Sequence, residues 1–154
     1  MKNTKLELGK EYQFNWKSPG IIKDLETLRE YKENCYYNNY IKYDKNNTNT
    51  ENLFKILTDA RGVGKLISAS ELSREEFFEK FVINSNFKPA EMLEGLAFFN
   101  SFSNYSGLPI ALLGSEDRKT GYHPILNLGD SNVRISESWF EEAQRNCNFL
   151  LIRH

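Results

Sequence analysis

Leu108-Pro109-Ile110-Ala111-Leu112-Leu113 and Tyr122-His123-Pro124-Ile125-Leu126-Asn127-Leu128 are apolar segments of strand length, joined by the polar linker Gly114-Ser115-Glu116-Asp117-Arg118-Lys119-Thr120-Gly121. Glycine at both ends of a charged connection marks a turn between strands, so the stretch predicts a β-hairpin with a long charged tip. Downstream, Ser138 and Glu141 have capping-box spacing ahead of Phe140 and Ala143, which predicts a helix. The chain closes on Phe149-Leu150-Leu151-Ile152, a continuous apolar run that reads as a buried strand.

Upstream of the hairpin the period changes. Pro89 opens a segment in which Met92, Leu93, Leu96 and Phe99 recur at helical spacing, with Gly95 weakening it by roughly 1 kcal/mol relative to alanine. Ser73-Arg74-Glu75-Glu76 is a capping box before the stripe Phe77, Phe78, Phe81 and Val82. A short helix from Thr50 carries Leu53, Phe54, Ile56 and Leu57, closed by Gly62, and Gly62-Val63-Gly64 reads as a turn. Tyr36 to Tyr43 is aromatic and β-prone, ahead of an asparagine-rich loop at 44–50. Ser18-Pro19-Gly20 starts an amphipathic helix running to about Glu33, and the alternation of Leu6, Leu8, Tyr12, Phe14 and Trp16 predicts a first strand. The order β, α, β, three helices, two strands, α, β indicates a single α+β domain, with a mixed or antiparallel sheet and flanking helices.

Length and composition fit one folded unit. The 154 residues are 40% hydrophobic and 27% charged, with no apolar run near the roughly 20 residues of a membrane helix. No signal peptide opens the chain, and Cys35 and Cys147 form no C-x-x-C, so the expectation is a cytosolic protein with reduced thiols and unused glycosylation sequons. The formal charge of -1 announces no partner by itself, but the halves differ: residues 1–65 hold twelve basic and nine acidic residues, and 66–154 hold eight and twelve. Only Arg153 and His154 follow Ile152, which also admits a recognition domain cut from a longer protein.

No catalytic constellation stands out. Cys35 or Ser106 could pair with His123, but no Gly-x-Ser-x-Gly elbow surrounds any serine, and His123 at a strand start reads as a surface histidine. Two histidines and two cysteines without short ligand spacing do not make the usual zinc site, and no metal or cofactor is expected. Asp117-Arg118-Lys119 has the Asp-x-Lys spelling of magnesium nucleases but reads as a solvated tip. Gly62-Val63-Gly64-Lys65 lacks Walker spacing, yet Arg61 and Lys65 bracket amides that one phosphate would suit. The tyrosines at 36, 37, 40 and 43, with asparagines among them, combine stacking faces with adenine-pairing amides.

Ser103-Asn104-Tyr105-Ser106-Gly107-Leu108-Pro109-Ile110-Ala111-Leu112-Leu113-Gly114, followed by Gly121-Tyr122-His123-Pro124-Ile125-Leu126, resembles the DNA-binding N-terminal region of McrB-type modification-dependent restriction enzymes. Ile110 stands where tryptophan usually follows the proline there. The resemblance implies a non-catalytic DNA-recognition module of a bacterial restriction or defence system, binding double-stranded DNA with or without a modified base. Arg61, Lys65, Arg118 and Lys119 would contact phosphates, and Asn104, Tyr105, Tyr122 and His123 would lie nearest the bases. The alternative is a small cytosolic immunity protein whose acidic helix faces cover a basic toxin.

Overall fold

The apolar run near the C-terminus is the strand around which the fold is arranged. The computed structural model describes residues 5–15, 55, 57–102, 105–117, 119–128 and 133–154. The helix expected over 18–33, the tyrosine-rich strand at 36–43, most of the helix expected from Thr50, Cys35, Asn104 and Arg118 lie outside the described residues.

In chain order the elements are β1 (Glu11–Asn15), β2 (Arg61–Ser68), α1 (Arg74–Phe81), β3 (Phe87–Pro89), α2 (Met92–Ser101), β4 (Ile110–Ala111), β5 (His123–Leu128), β6 (Val133–Ser138), α3 (Phe140–Asn146) and β7 (Asn148–Arg153). The strands form one seven-stranded mixed sheet of order β1-β2-β7-β4-β5-β6. β7 pairs antiparallel with β2 along one side; on the other, β4 runs parallel beside Asn148 and Phe149 while β3 runs antiparallel beside Leu151 to Arg153. The expected α+β class holds.

A strand flanked on both sides and covered on both faces must be apolar at successive positions. In β7 Leu150 and Ile152 join one core with Phe14, Leu66, Leu126 and the buried side of α2, and Phe149 and Leu151 join the other with Ile67, Ile125, Phe77 of α1 and Phe140 of α3. The result is three layers: α2, the sheet, then α1 with α3. Phe77 is the hub of the second core, with ring contacts to Phe78, Phe81, Phe140 and Phe149.

Four local expectations need correction. Gly62-Val63-Gly64 is not a turn closing a helix but the first half of β2, and neither glycine has a positive φ. These glycines leave room for rings: a Cβ would come within 3.2 Å of Phe14 at Gly62 and 2.8 Å of Phe98 at Gly64. Pro89 ends β3 instead of opening a helix, and α2 starts three residues later, at Met92, behind Glu91. Ser138 does not cap α3, because it is the last residue of β6, paired with His123, and Trp139 takes the cap position. His123 is buried. The Ser73 capping box forms as expected, with the Glu76 amide on the Ser73 hydroxyl at 3.1 Å and the Glu76 carboxylate on the Ser73 amide at 3.1 Å.

Candidate nucleic-acid interface

Cations gather where β1, β2, β7 and β3 end together. Arg61 begins β2 opposite Asn15, the last residue of β1, and Phe87 of β3 lies opposite Arg153 at the end of β7. Side chains alternate across the sheet, so Lys65 lies on the side of α1 and α3, whereas Lys88 lies on the side of α2. Lys65 Nζ sits 4.1 Å from the centre of the Phe87 ring and Arg153 Cζ 5.5 Å from it, so one ring holds two cations at the edge of the second core.

Among the described residues, two carboxylates make ion pairs with these cations. Glu94 pairs with Lys88 at 3.5 Å, and Glu11, opposite Lys65 in β1, pairs with Arg153. Arg61 is exposed and has no partner among the described residues. A cleft of about 490 Å³ opens beside it, walled by Phe14, Leu57, Leu93 and Ile152 and rimmed by Arg61, Arg153, His154 and the Lys88–Glu94 pair. Apolar walls under a cationic rim suit an anionic ligand with a flat or apolar body.

The β2 amides are not available to a phosphate as the sequence suggested. Gly62, Val63 and Gly64 pair with β1, and Gly64 and Lys65 pair with β7 as well. Any anion bound here is held by side chains.

The hairpin residues are built differently. His123 is 1% exposed. Arginine can only donate, so the 3.0 Å contact from Arg74 leaves His123 Nε2 as acceptor and places the proton on Nδ1, which donates to the Ser115 carbonyl at 2.8 Å. Burial, with Arg74 adding to it, pushes its pKa below the ordinary 6.5 against the opposing Ser115, Glu116 and Glu141. The ring is a neutral clip between α1 and the loop.

Tyr105 packs at a tilt against Phe99, with ring centroids 5.4 Å apart, donates its hydroxyl to the Leu108 carbonyl at 2.7 Å and accepts from Asn148 at 3.4 Å, which occupies both ends of the side chain. Burial holds this phenol above its usual pKa. Tyr105 precedes β4 and Tyr122 precedes the antiparallel β5, so the two rings stand at opposite ends of that strand pair, as do Ser106 and His123. Lys119 is exposed on the linker, its amide bonded to Asp117 at 2.9 Å. From β2 to β5 there are three strand spacings, about 14 Å, so Arg61 and Lys65 form a cluster separate from Lys119 and Tyr122.

No family model, curated protein or solved structure matches this chain. Among the described residues no group of three or more His, Cys, Asp or Glu is placed to hold a metal ion, and no helix is long and apolar enough to cross a membrane. Lys88, Arg153 and the cleft were missed by sequence reasoning. Arg153, as the first charge after an apolar run, was the available signal, because a central strand that ends on a cation brings it to the sheet's end.

Proposed function

We propose that the protein is a non-catalytic DNA-recognition module, and that phosphates dock on the end of the sheet formed by Arg61, Lys65, Lys88 and Arg153. The observation that carries this reading is the placement of Arg61, Lys88 and Arg153, from three strands, at one end of the sheet beside the cleft, with Lys65 reaching the Phe87 ring and, among the described residues, Glu11 and Glu94 paired to Arg153 and Lys88. Arg61, which no described carboxylate answers, is the natural first contact. Phosphate oxygens would compete with Glu11 and Glu94 for Arg153 and Lys88, an exchange between surface ion pairs that costs little. The likeness of residues 103–126 to the McrB-type region supports the same class of partner, double-stranded DNA, from the sequence side. Membership of a restriction or defence system is part of this proposal.

The test is a mobility shift with unmodified and base-methylated duplexes at low and moderate salt. Binding should weaken steeply with salt, and Arg61→Ala with Lys65→Ala should reduce affinity on every duplex by a similar factor, because phosphate contacts position without reading sequence. Binding no stronger than that of a neutral control protein sinks the proposal.

A further inference from the structure

Trp139 is 50% exposed although its neighbour Phe140 is fully in the core, so the backbone anchors on Phe140 and presents the indole outward. The indole is held in place. Its ring meets Tyr122 edge-on, with centroids 4.9 Å apart at 62°, and its N–H donates to the Thr120 carbonyl at 3.2 Å. With that N–H spent inside the protein, the indole offers a partner its π face and apolar edge. A ring fixed before binding loses little entropy on contact, which is what makes tryptophan an effective anchor.

The surroundings choose the partner. Glu141 and Glu142 are exposed in the first turn of α3, directly after the indole, and Glu116 is exposed on the linker whose Thr120 and Tyr122 hold it. Glu116 and Glu141 both act electrostatically on His123, which brings them to the same end of the sheet. Arg74, at the start of α1, is engaged by His123 and lies over the Phe78 and Phe140 rings at 5.3 and 5.9 Å. Lys119 is the cation of the described linker. Glu116 and Glu141 beside the two rings attract a cation, which aromatic faces also bind, and of the described cations nearby Arg74 is held on the Phe78 and Phe140 rings.

We propose that Trp139 and Tyr122, rimmed by Glu116 and Glu141, form a docking surface for an arginine- or lysine-rich segment of a partner protein. This surface lies about three strands from Arg61 and is independent of the DNA reading. Aliphatic stems of the partner's basic side chains lie on the indole while their charged heads reach the carboxylates. The helix start already favours Glu141 and Glu142, so their charges are in place without cost to the fold.

The experiment uses the full chain and a fluorescein-labelled peptide of alternating arginine and glycine, with a glutamate-for-arginine peptide as control, read by anisotropy. Saturable binding of the arginine peptide alone is expected, with a dissociation constant below about 1 mM. Glu116→Gln with Glu141→Gln should weaken it about tenfold, and Trp139→Ala should weaken it more than Trp139→Phe, which keeps a ring. Thermal melts on each variant separate weakened binding from a weakened fold, and the glutamine pair, being isosteric and exposed, keeps the test readable if Trp139→Ala melts early. No saturation, or equal affinity in the glutamine and Trp139 variants, overturns the proposal. So does a Trp139→Ala effect on the duplex mobility shift, which would make the surface a nucleic-acid contact. Self-association abolished equally by Arg61→Ala and by the glutamine pair would make the occupant a second copy of the chain, and would overturn it as well.

Discussion

His123 carries the clearest consequence of a single buried group. Its folded pKa lies below 6.5, so as pH falls from 6.5 the unfolded chain takes up a proton that the folded chain resists. The stabilisation is therefore present above about pH 6.5 and is lost as pH drops through the folded pKa. Histidine NMR titration should give His123 a midpoint below 6.5. The extra loss of melting temperature as pH falls below about 6.5 should shrink in Arg74→Ala, because removing that cation takes away the second of the two causes, after burial, that oppose protonation. An unchanged acid sensitivity in Arg74→Ala would break the assignment. Cys147 is the second case: burial, with Glu142 adding, pushes its thiol up to about 11. In a Cys35→Ser protein, iodoacetamide near neutral pH should modify Cys147 at the rate of global unfolding, seen as labelling that urea accelerates. At this scale the sequence is legible where the chemistry is local. Ser73 and Glu76 satisfy each other within one turn and form the expected box, whereas the same spelling at Ser138 and Glu141 fails because the partner strand claims Ser138. The burial of His123 is not legible in sequence because its partners, Arg74 and Ser115, are brought together by folding.

Elements were legible where one face or both faces decided them. β7 and the β4–β5 hairpin follow from apolar runs and the glycine-flanked linker. β2 was hidden because Gly62 and Gly64, ordinary turn residues, make room for the Phe14 ring of the neighbouring β1 and the Phe98 ring of α2. β6 did show a signal, the alternation of Arg134 and Ser136 with buried Ile135, which the adjacent box at Ser138 obscured. The join between β3 and β4 is set by backbone. Gly114 donates to the Ala90 carbonyl at 2.9 Å, and a Cβ at Gly114 would lie 2.6 Å from the Pro89 carbonyl oxygen. Gly114→Ala is expected to cost about 1 to 3 kcal/mol, since backbone cannot swing aside as a side-chain end does. Phe77→Ala, removing the ring on which Phe78, Phe81, Phe140 and Phe149 converge, should cost about 3 to 5 kcal/mol. Urea midpoints at constant slope check both; a Gly114→Ala midpoint equal to the parent's would show that β3 and β4 are not locked end to end.

At the scale of the whole molecule, strand order sorts the described charges into two groups of mixed sign: Arg61, Lys65, Lys88 and Arg153 with Glu11 and Glu94 on β1, β2, β3, β7 and α2, and Glu116, Glu141 and Glu142 with Arg74 and Lys119 beside β5 and β6. A formal charge of -1 conceals this, because the separation depends on strand order, which composition does not contain. The order places Arg61 and Lys65 three strands from Lys119, so salt dependence can tell the two clusters apart. Removing one cation that neutralises a phosphate lowers the slope of log affinity against log salt by about 0.9. If DNA lies on the β2 end, Arg61→Ala and Lys65→Ala should each reduce the slope by about that amount, and together by about twice it, while Lys119→Ala leaves it unchanged. Stability should hardly move for Arg61 or Lys119, since both are exposed; Lys65, seated over Phe87, should lose about 0.5 to 1 kcal/mol of cation–π attraction, visible as a small drop in melting temperature. The opposite pattern, a reduced slope in Lys119→Ala with the parent slope kept in the β2 variants, would put the duplex on the hairpin loop. Phosphates would then lie against Glu116 and Glu141, and both the interface at Arg61 and the basic partner assigned to Trp139 would fall together.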